Sequence, residues 1–400
     1  MPHRIPFARI LSPFAVLLAS CGVSPAGDSA VAQSGPPRTP AGQAPGTAPF
    51  TIADVATFDE PWALAFVPGT PYLLVTEKSG QLKLVDGLGK VHPVSGAPRV
   101  DYGGQGGLGD IVFAPGAADL EPGNDSFPVY MSWVEAGPDG TRGAVVGRGS
   151  LVIDEMDGAS RIEKLEVIWR QSPKVSGRGH YAHRIAFSPD GKHLFVASGD
   201  RQKFTPAQDK TVNLGKIVRL NLDGTPAAGN PFAAAGGISA QIWSLGHRNI
   251  LGLGFDPQGR LWELEHGPAG GDELNLVQPG ANYGWPVVSQ GDHYDGKAIP
   301  RHPTRPEFAA PAISWSPVIA PGNFVFVSGE AFPAWQGQVL IAGLGSGGLV
   351  RVTIEGEKAR EVGRIDLGNR VRAIAEAPDG AIWIVEDGKN AKLRKLTPKR

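Results

Sequence analysis

One phrase recurs six times along this chain: an apolar strand, a turn built on Pro, Asp or Gly, then a second apolar strand. It runs from Trp62-Ala-Leu-Ala-Phe-Val-Pro to Leu73-Leu-Val-Thr, and from Leu108-Gly-Asp-Ile-Val-Phe-Ala-Pro to Val129-Tyr-Met-Ser-Trp. The third copy joins Arg184-Ile-Ala-Phe-Ser-Pro-Asp-Gly to Leu194-Phe-Val-Ala-Ser-Gly-Asp, and the fourth joins Leu251-Gly-Leu-Gly-Phe-Asp-Pro to Leu261-Trp-Glu-Leu. Phe324-Val-Phe-Val with Val339-Leu-Ile-Ala, and Val371-Arg-Ala-Ile-Ala with Ile382-Trp-Ile-Val, complete the set. Alternation at period two and the closely spaced turn signals argue for strands rather than helices. Six copies beyond residue 50 leave about 60 residues each, room for four strands and some long loops. Arranged radially, each such sheet buries both faces against its neighbours, so the expected class is all-β, a six-bladed β-propeller. A pair of β-sandwiches is the other architecture that such strands allow. The 55 Gly and 36 Pro, spread along the whole chain, fit the many turns either one needs.

The first fifty residues read differently. His3, Arg4 and Arg9 make a basic start, and Ile10 to Ala19 give an apolar run of roughly ten residues, too short to span a bilayer. Leu18-Ala19-Ser20-Cys21 resembles the bacterial lipobox, so residues 1–21 are expected to be a lipoprotein signal peptide, with lipid attached at Cys21. Gly22 follows the cysteine; the absence of aspartate there favours the outer membrane. The chain is thus expected to be exported, periplasmic and lipid-anchored. Residues 22–49 are Pro, Ala, Gly and Ser with almost no large apolar side chain, and read as a flexible tether. The propeller domain is expected over residues 50–400. Cys21 is the only cysteine, so that domain has no internal disulfide.

Charge excludes more than it suggests. Lys and Arg number 38 against 39 Asp and Glu, so no global field draws the chain to nucleic acid. Gly103-Gly-Gln-Gly-Gly lies between strands and opens no helix, which argues against a dinucleotide fold. Propellers bind ligands at the mouth of the central channel, so loops entering each blade are where chemistry belongs.

Three stretches there carry a resemblance. They are Ile242-Trp-Ser-Leu-Gly-His-Arg-Asn, Glu265-His-Gly-Pro-Ala-Gly-Gly-Asp-Glu-Leu-Asn, and Ala281-Asn-Tyr-Gly-Trp-Pro. With Gly104-Gln-Gly-Gly-Leu, Asn213-Leu-Gly-Lys-Ile-Val-Arg-Leu, Asn230-Pro-Phe and Asn369-Arg-Val-Arg, the ordered set resembles the aldose sugar dehydrogenases that depend on pyrroloquinoline quinone (PQQ), relatives of soluble glucose dehydrogenase. The resemblance implies oxidation of an aldose C1 hydroxyl to the lactone, with hydride passing to calcium-bound PQQ and electrons then to a membrane quinone or a cytochrome.

Such a reaction needs a neutral base with a pKa near working pH, which suits histidine. By the family's pattern His180, in Ser176-Gly-Arg-Gly-His-Tyr-Ala-His-Arg, matches that base. His183 stands where relatives often carry glycine, and is expected to act on substrate affinity. Family matches give Gln105, Arg248, Asn249, Arg370 and Arg372 as cofactor contacts, guanidinium forks and amides suited to a tricarboxylate. The carbonyls of Gly267 and Pro268 are implied as ligands of the cofactor's calcium, and Glu273 and Tyr283 as ligands of a second, structural calcium. Read without the resemblance, Glu273 is a surface acid and Tyr283 a packed aromatic. One departure stands out: where relatives place a lysine after the fifth-blade leucine, Leu344 is followed by Gly345. Two other classes stay open, a calcium-dependent propeller lactonase and a non-catalytic propeller that binds a cell-surface partner.

Overall fold

The computed structural model describes residues 49–121, 125–154 and 159–399. The signal-peptide reading of residues 1–21 and the tether reading of 22–49 fall outside them, except for Pro49, whose carbonyl accepts from Lys399 N at 2.9 Å.

The described chain forms six four-stranded antiparallel sheets. Blade 1 is β2 (Pro61–Phe66), β3 (Leu73–Glu77), β4 (Gln81–Val85) and β5 (Val91–Val94); blade 2 is β6 (Leu108–Phe113), β7 (Ser126–Ala136), β8 (Arg142–Val152) and β9 (Arg161–Arg170). Blade 3 holds β10 (Ala182–Phe187), β11 (His193–Ser198), β12 (Lys216–Asn221) and β13 (Ile242–Leu245); blade 4 holds β14 (Ile250–Phe255), β15 (Leu261–Glu265), β16 (Asp272–Leu276) and β17 (Ile313–Trp315). Blade 5 is β18 (Pro321–Phe326), β19 (Val339–Gly343), β20 (Gly348–Glu355) and β21 (Lys358–Asp366). Blade 6 takes β22 (Val371–Glu376), β23 (Ile382–Glu386) and β24 (Ala391–Pro398), and is completed by β1 (Phe50–Phe58). Phe50 pairs with Pro398 and Phe58 with Ala391, so a strand from the start of the domain closes the ring at its end. The expected six-bladed propeller is what the sequence builds. Helical structure among the described residues is confined to short 3₁₀ turns, and no helix there is long and apolar enough to cross a membrane.

Each recurring phrase is the inner hairpin of one blade. Its second strand lies between sheets on both sides, which is why β3, β15 and β19 are buried at every position. Six apolar clusters fill the six seams between neighbouring blades. One joins Tyr130, Val134 and Val146 of blade 2 to Ile185, Leu194 and Val196 of blade 3; another joins Ala182, Phe195 and Ile217 of blade 3 to Ile250 and Leu261 of blade 4. Each fully buried valine or leucine in these seams contributes about 1.5–3 kcal/mol.

The inner strands β2, β6, β10, β14, β18 and β22 contact one another in a closed ring. All six share a device: the register with the second strand slips within the first few residues of the inner strand. A bulge there turns side chains that strict alternation would send to opposite faces. Gln105, His180, Arg248, Asn249, Arg370 and Arg372 lie at or just before these entrances, whereas Gly267, Pro268, Glu273 and Tyr283 follow β15.

Candidate active site

His180 ends the loop that leads into β10. Gly199 follows β11 and passes against that loop so closely that a Cβ on it would collide with the His180 carbonyl. This close approach sets Asp200 beside the imidazole. His180 Nδ1 donates to Asp200 Oδ1 at 2.7 Å, and the backbone N of Gln202 reaches the same oxygen at 2.8 Å. Asp200 Oδ2 accepts from Trp285 Nε1 at 2.7 Å. Gln105 accepts from the His180 backbone N–H at 2.7 Å through Oε1, tying the blade 2 entrance to the histidine. His180, Ala182, His183, Arg201, Gln202 and Phe204 all have φ between 49° and 62°, a left-handed conformation that non-glycine residues rarely adopt. Such strain persists only where the surrounding structure over-determines it, and it clusters at active sites and ligand clamps.

Electrostatics fixes the protonation. Burial and then the Arg248 guanidinium pull the His180 pKa below its usual value, with Asp200 opposing them. Burial pushes Asp200 upward, but the hydrogen bond and charge of His180 hold it below the ordinary carboxylate range. At neutral pH the pair is therefore a carboxylate and a neutral imidazole whose proton sits on Nδ1, leaving the Nε2 lone pair free.

His180 lines a cleft of about 350 Å³ with Asp200, Phe204, Arg248, Pro268, Trp285, and Tyr294. Arg248 is buried and forms no ion pair among the described residues; it donates to the His266 carbonyl at 3.1 Å and to Tyr294 Oη at 3.3 Å, and its Nε has no partner. A second opening of about 230 Å³ is lined by Trp62, Lys78, Gln105, His183, Asn249, His266, Leu344, Arg370 and Arg372. Asn249 Oδ1 is buried there without a partner. Of the sequence-derived candidates, His180, Arg248 and Pro268 line one opening and Gln105, Asn249, Arg370 and Arg372 the other, while Gly267, Glu273 and Tyr283 line a small recess beside Arg248 and Pro268.

Several expectations change. Arg370 and Arg372 meet on one carboxylate: Arg370 Nε lies 2.9 Å from Asp387 Oδ2, and Arg372 Nη2 lies 2.7 Å from Oδ1. His183 does not line the His180 cleft. It stacks on Trp62 with ring centroids 4.9 Å apart, Nδ1 contacts Ser132 Oγ at 2.9 Å, and burial pulls its pKa down to about 3. Glu273 is buried rather than on the surface, because β16 lies within the blade. The Tyr283 phenol donates to the Leu276 carbonyl at 2.6 Å and accepts from Gln278 N at 2.9 Å, and its backbone carbonyl lies 3.3 Å from His302 Nε2.

Asp200, Trp285, Phe204, Tyr294, His266 and Lys78 were not anticipated. A signal for Asp200 existed: an acid two residues after β11, a strand whose core Leu194-Phe-Val-Ala is apolar. Gly345 also gains an explanation. Its N–H is bound to the Ile319 carbonyl at 2.8 Å, and a Cβ there would sit 2.9 Å from that oxygen and 3.1 Å from Ala320 Cβ. The turn is packed as a glycine turn.

The model of the glucose/sorbosone dehydrogenase family matches residues 58–395. The chain belongs to the glucose/sorbosone dehydrogenase family. Members are enzymes that oxidise sugars, and this propeller is one of them. The chain is 37% identical over 350 residues to the aldose sugar dehydrogenase YliI of Escherichia coli strain K12, covering 85% of this chain and 91% of that protein. Among solved structures, the apo form of the soluble aldose sugar dehydrogenase from Escherichia coli superposes with TM-score 0.79 at 34% identity, over 88% of this chain and all of that one. The PQQ-bound aldose sugar dehydrogenase from Streptomyces coelicolor gives 0.68 at 28% identity, over 88% of this chain and 98% of that one.

Proposed function

We propose that this dehydrogenase oxidises the C1 hydroxyl of aldose sugars to the lactone, with PQQ as hydride acceptor and calcium as its companion ion. The observation that carries the reading is the 2.7 Å bond from His180 Nδ1 to Asp200, which leaves Nε2 as the basic atom in a cleft shared with an unpaired guanidinium.

The residues present fit both groups. PQQ is a tricarboxylate, and the two openings hold Arg248 and Asn249 with unpartnered buried atoms, together with Arg370, Arg372 and Lys78. Among the described residues the carbonyls of Gly267 and Pro268 accept no hydrogen bond, and Asp272 pins their turn by accepting from Gly267 N at 2.9 Å. These oxygens suit a hard cation. When bound, calcium-held PQQ supplies the carbon centre that takes up the C1 hydride.

The chain's own residues do the rest. His180 Nε2 takes the C1 hydroxyl proton, and Asp200 holds the ring in the tautomer that permits it and stabilises the imidazolium formed. Trp285 and Phe204, with ring centroids 5.6 Å apart, wall the cleft with faces on which a sugar ring can lie. Lys78, paired with Glu60 at 3.2 Å, supplies a cation from blade 1 where Gly345 offers none. Glu273 and the Tyr283 carbonyl hold a second, structural calcium. We further place the mature protein in the periplasm, anchored by lipid at Cys21 and delivering electrons to a membrane quinone or a cytochrome.

The test is reconstitution. Chelator-treated protein is given PQQ with and without calcium and assayed for dye reduction across a sugar panel. Activity that appears only with both, and only with aldoses, supports the reading; equal PQQ affinity without calcium removes the ion from the site.

A further inference from the structure

The face that blade 4 turns toward blade 3 is not apolar throughout. Leu261 of β15 belongs to the apolar cluster of that seam, and Glu263 and Glu265 follow on the same face at period two. Val277 belongs to the same cluster, and Asn275 and Glu273 share its face on β16. Glu263 stands opposite Asn275, and Glu265 opposite Glu273. His247, from the loop before β14, stacks on the Tyr283 ring with centroids 4.7 Å apart. Glu263, Asn275 and His247 are 0% exposed.

None of the three carboxylates pairs with a lysine or arginine among the described residues. Glu265 accepts from the backbone N–H of Arg248 and Asn249 at 2.5 and 3.3 Å. Glu263 takes one bond from Asn275 Nδ2 at 2.6 Å, and its Oε2 has no partner. His247 Nε2 meets Ser244 Oγ at 2.8 Å, while Nδ1 has no hydrogen bond. That nitrogen lies 3.6 Å from an oxygen of Glu263 and 3.6 Å from one of Glu265. This is too long for a hydrogen bond, and near the spacing of two ligands held about 2.1 Å from one ion. Asn275 Oδ1 is likewise buried without a partner. One ligand atom from each of His247, Glu263 and Glu265 can be chosen within 4.8 Å of the others.

We propose that His247, Glu263 and Glu265 hold one divalent first-row transition ion, at a site separate from either calcium. Calcium takes oxygen ligands, whereas an imidazole nitrogen joined by two carboxylates suits zinc, cobalt or iron. The ion clamps β15 to the segment that continues directly into Arg248 and Asn249, and so supports the cleft from behind.

The full chain is expressed in medium containing cobalt with excess calcium, desalted, and analysed for metal content and visible absorption. The parent should retain one cobalt per chain; Glu263→Gln and His247→Gln should retain none, and Glu273→Gln should keep it. A parent that retains no cobalt overturns the proposal. So does a cobalt ion lost in Glu273→Gln but kept in Glu263→Gln, which would assign it to the Glu273 site. X-ray absorption on the parent needs no variant: imidazole scattering is expected, and an all-oxygen shell overturns the site.

Discussion

His180 and Asp200 meet Nδ1 to Oδ1 at 2.7 Å although one ends a loop before β10 and the other follows β11. Glycine at 199 allows the approach, since a side chain there would strike the His180 carbonyl. One backbone contact thereby fixes both the orientation and the tautomer of the His180 imidazole. Asp200→Asn should keep the fold and cofactor affinity while slowing reduction of bound cofactor by about 10- to 1,000-fold. The pH profile adds a second readout. The active imidazole is neutral, and its pKa lies below the usual 6.5, so the rate should fall as pH drops through a midpoint below that value. Asp200 raises that pKa, so its loss should move the acid limb to still lower pH. An acid limb that moves upward would contradict the pairing.

Lys78 and Arg372 approach the same opening from blades 1 and 6. Lys78→Met and Arg372→Met should each weaken PQQ binding by about 10- to 100-fold, the value of a charge-assisted hydrogen bond. Fluorescence titration of the cofactor measures this without turnover. An unchanged affinity in Lys78→Met would leave the missing lysine at position 345 without a substitute.

Gly345→Lys should not restore the pattern of relatives. Its Cβ would press on the Ile319 carbonyl and Ala320, costing about 1–3 kcal/mol of stability. A thermal melt of the variant should show a lower midpoint than the parent; an equal or higher one would mean the turn can accommodate the side chain.

Most of the propeller could be read from the chain because its inner hairpins are buried on both sides. Leu73, Leu74 and Val75 have no solvent-facing side to demand polar residues, so the run stays apolar. Outer strands carry a fainter signal: β9 and β21 mix exposed and half-buried positions, and their sequences read as polar connections. The pairing of Phe50 with Pro398 leaves no local trace, because ring closure joins residues remote in sequence. At the site, His180, Arg248 and Arg370 stood in phrases shared with a family. Asp200 sat in Ser198-Gly199-Asp200, which reads as a turn. Tyr294 and Phe204 lie on irregular loops with no period to expose them. Arg370 and Arg372, two residues apart, share one face by alternation, but nothing in their phrase points to Asp387, the carboxylate on which both converge.

Cys21→Ser should release the protein from the membrane fraction without altering its activity. Cell fractionation followed by immunoblotting reads this out. An unchanged membrane-bound share would make the lipobox a coincidence of sequence.

The central claim is that His180 is the base, and single-turnover reduction of bound PQQ by an aldose tests it most directly. The rate reports the chemical step without the electron acceptor. His180→Ala should bind PQQ nearly as well as the parent and reduce it about 100- to 10,000-fold more slowly. His183→Ala serves as the control: it opens a cavity beside Trp62, so it should lower stability and leave the reduction step largely intact. A His180→Ala variant that reduces PQQ as fast as the parent would contradict the account.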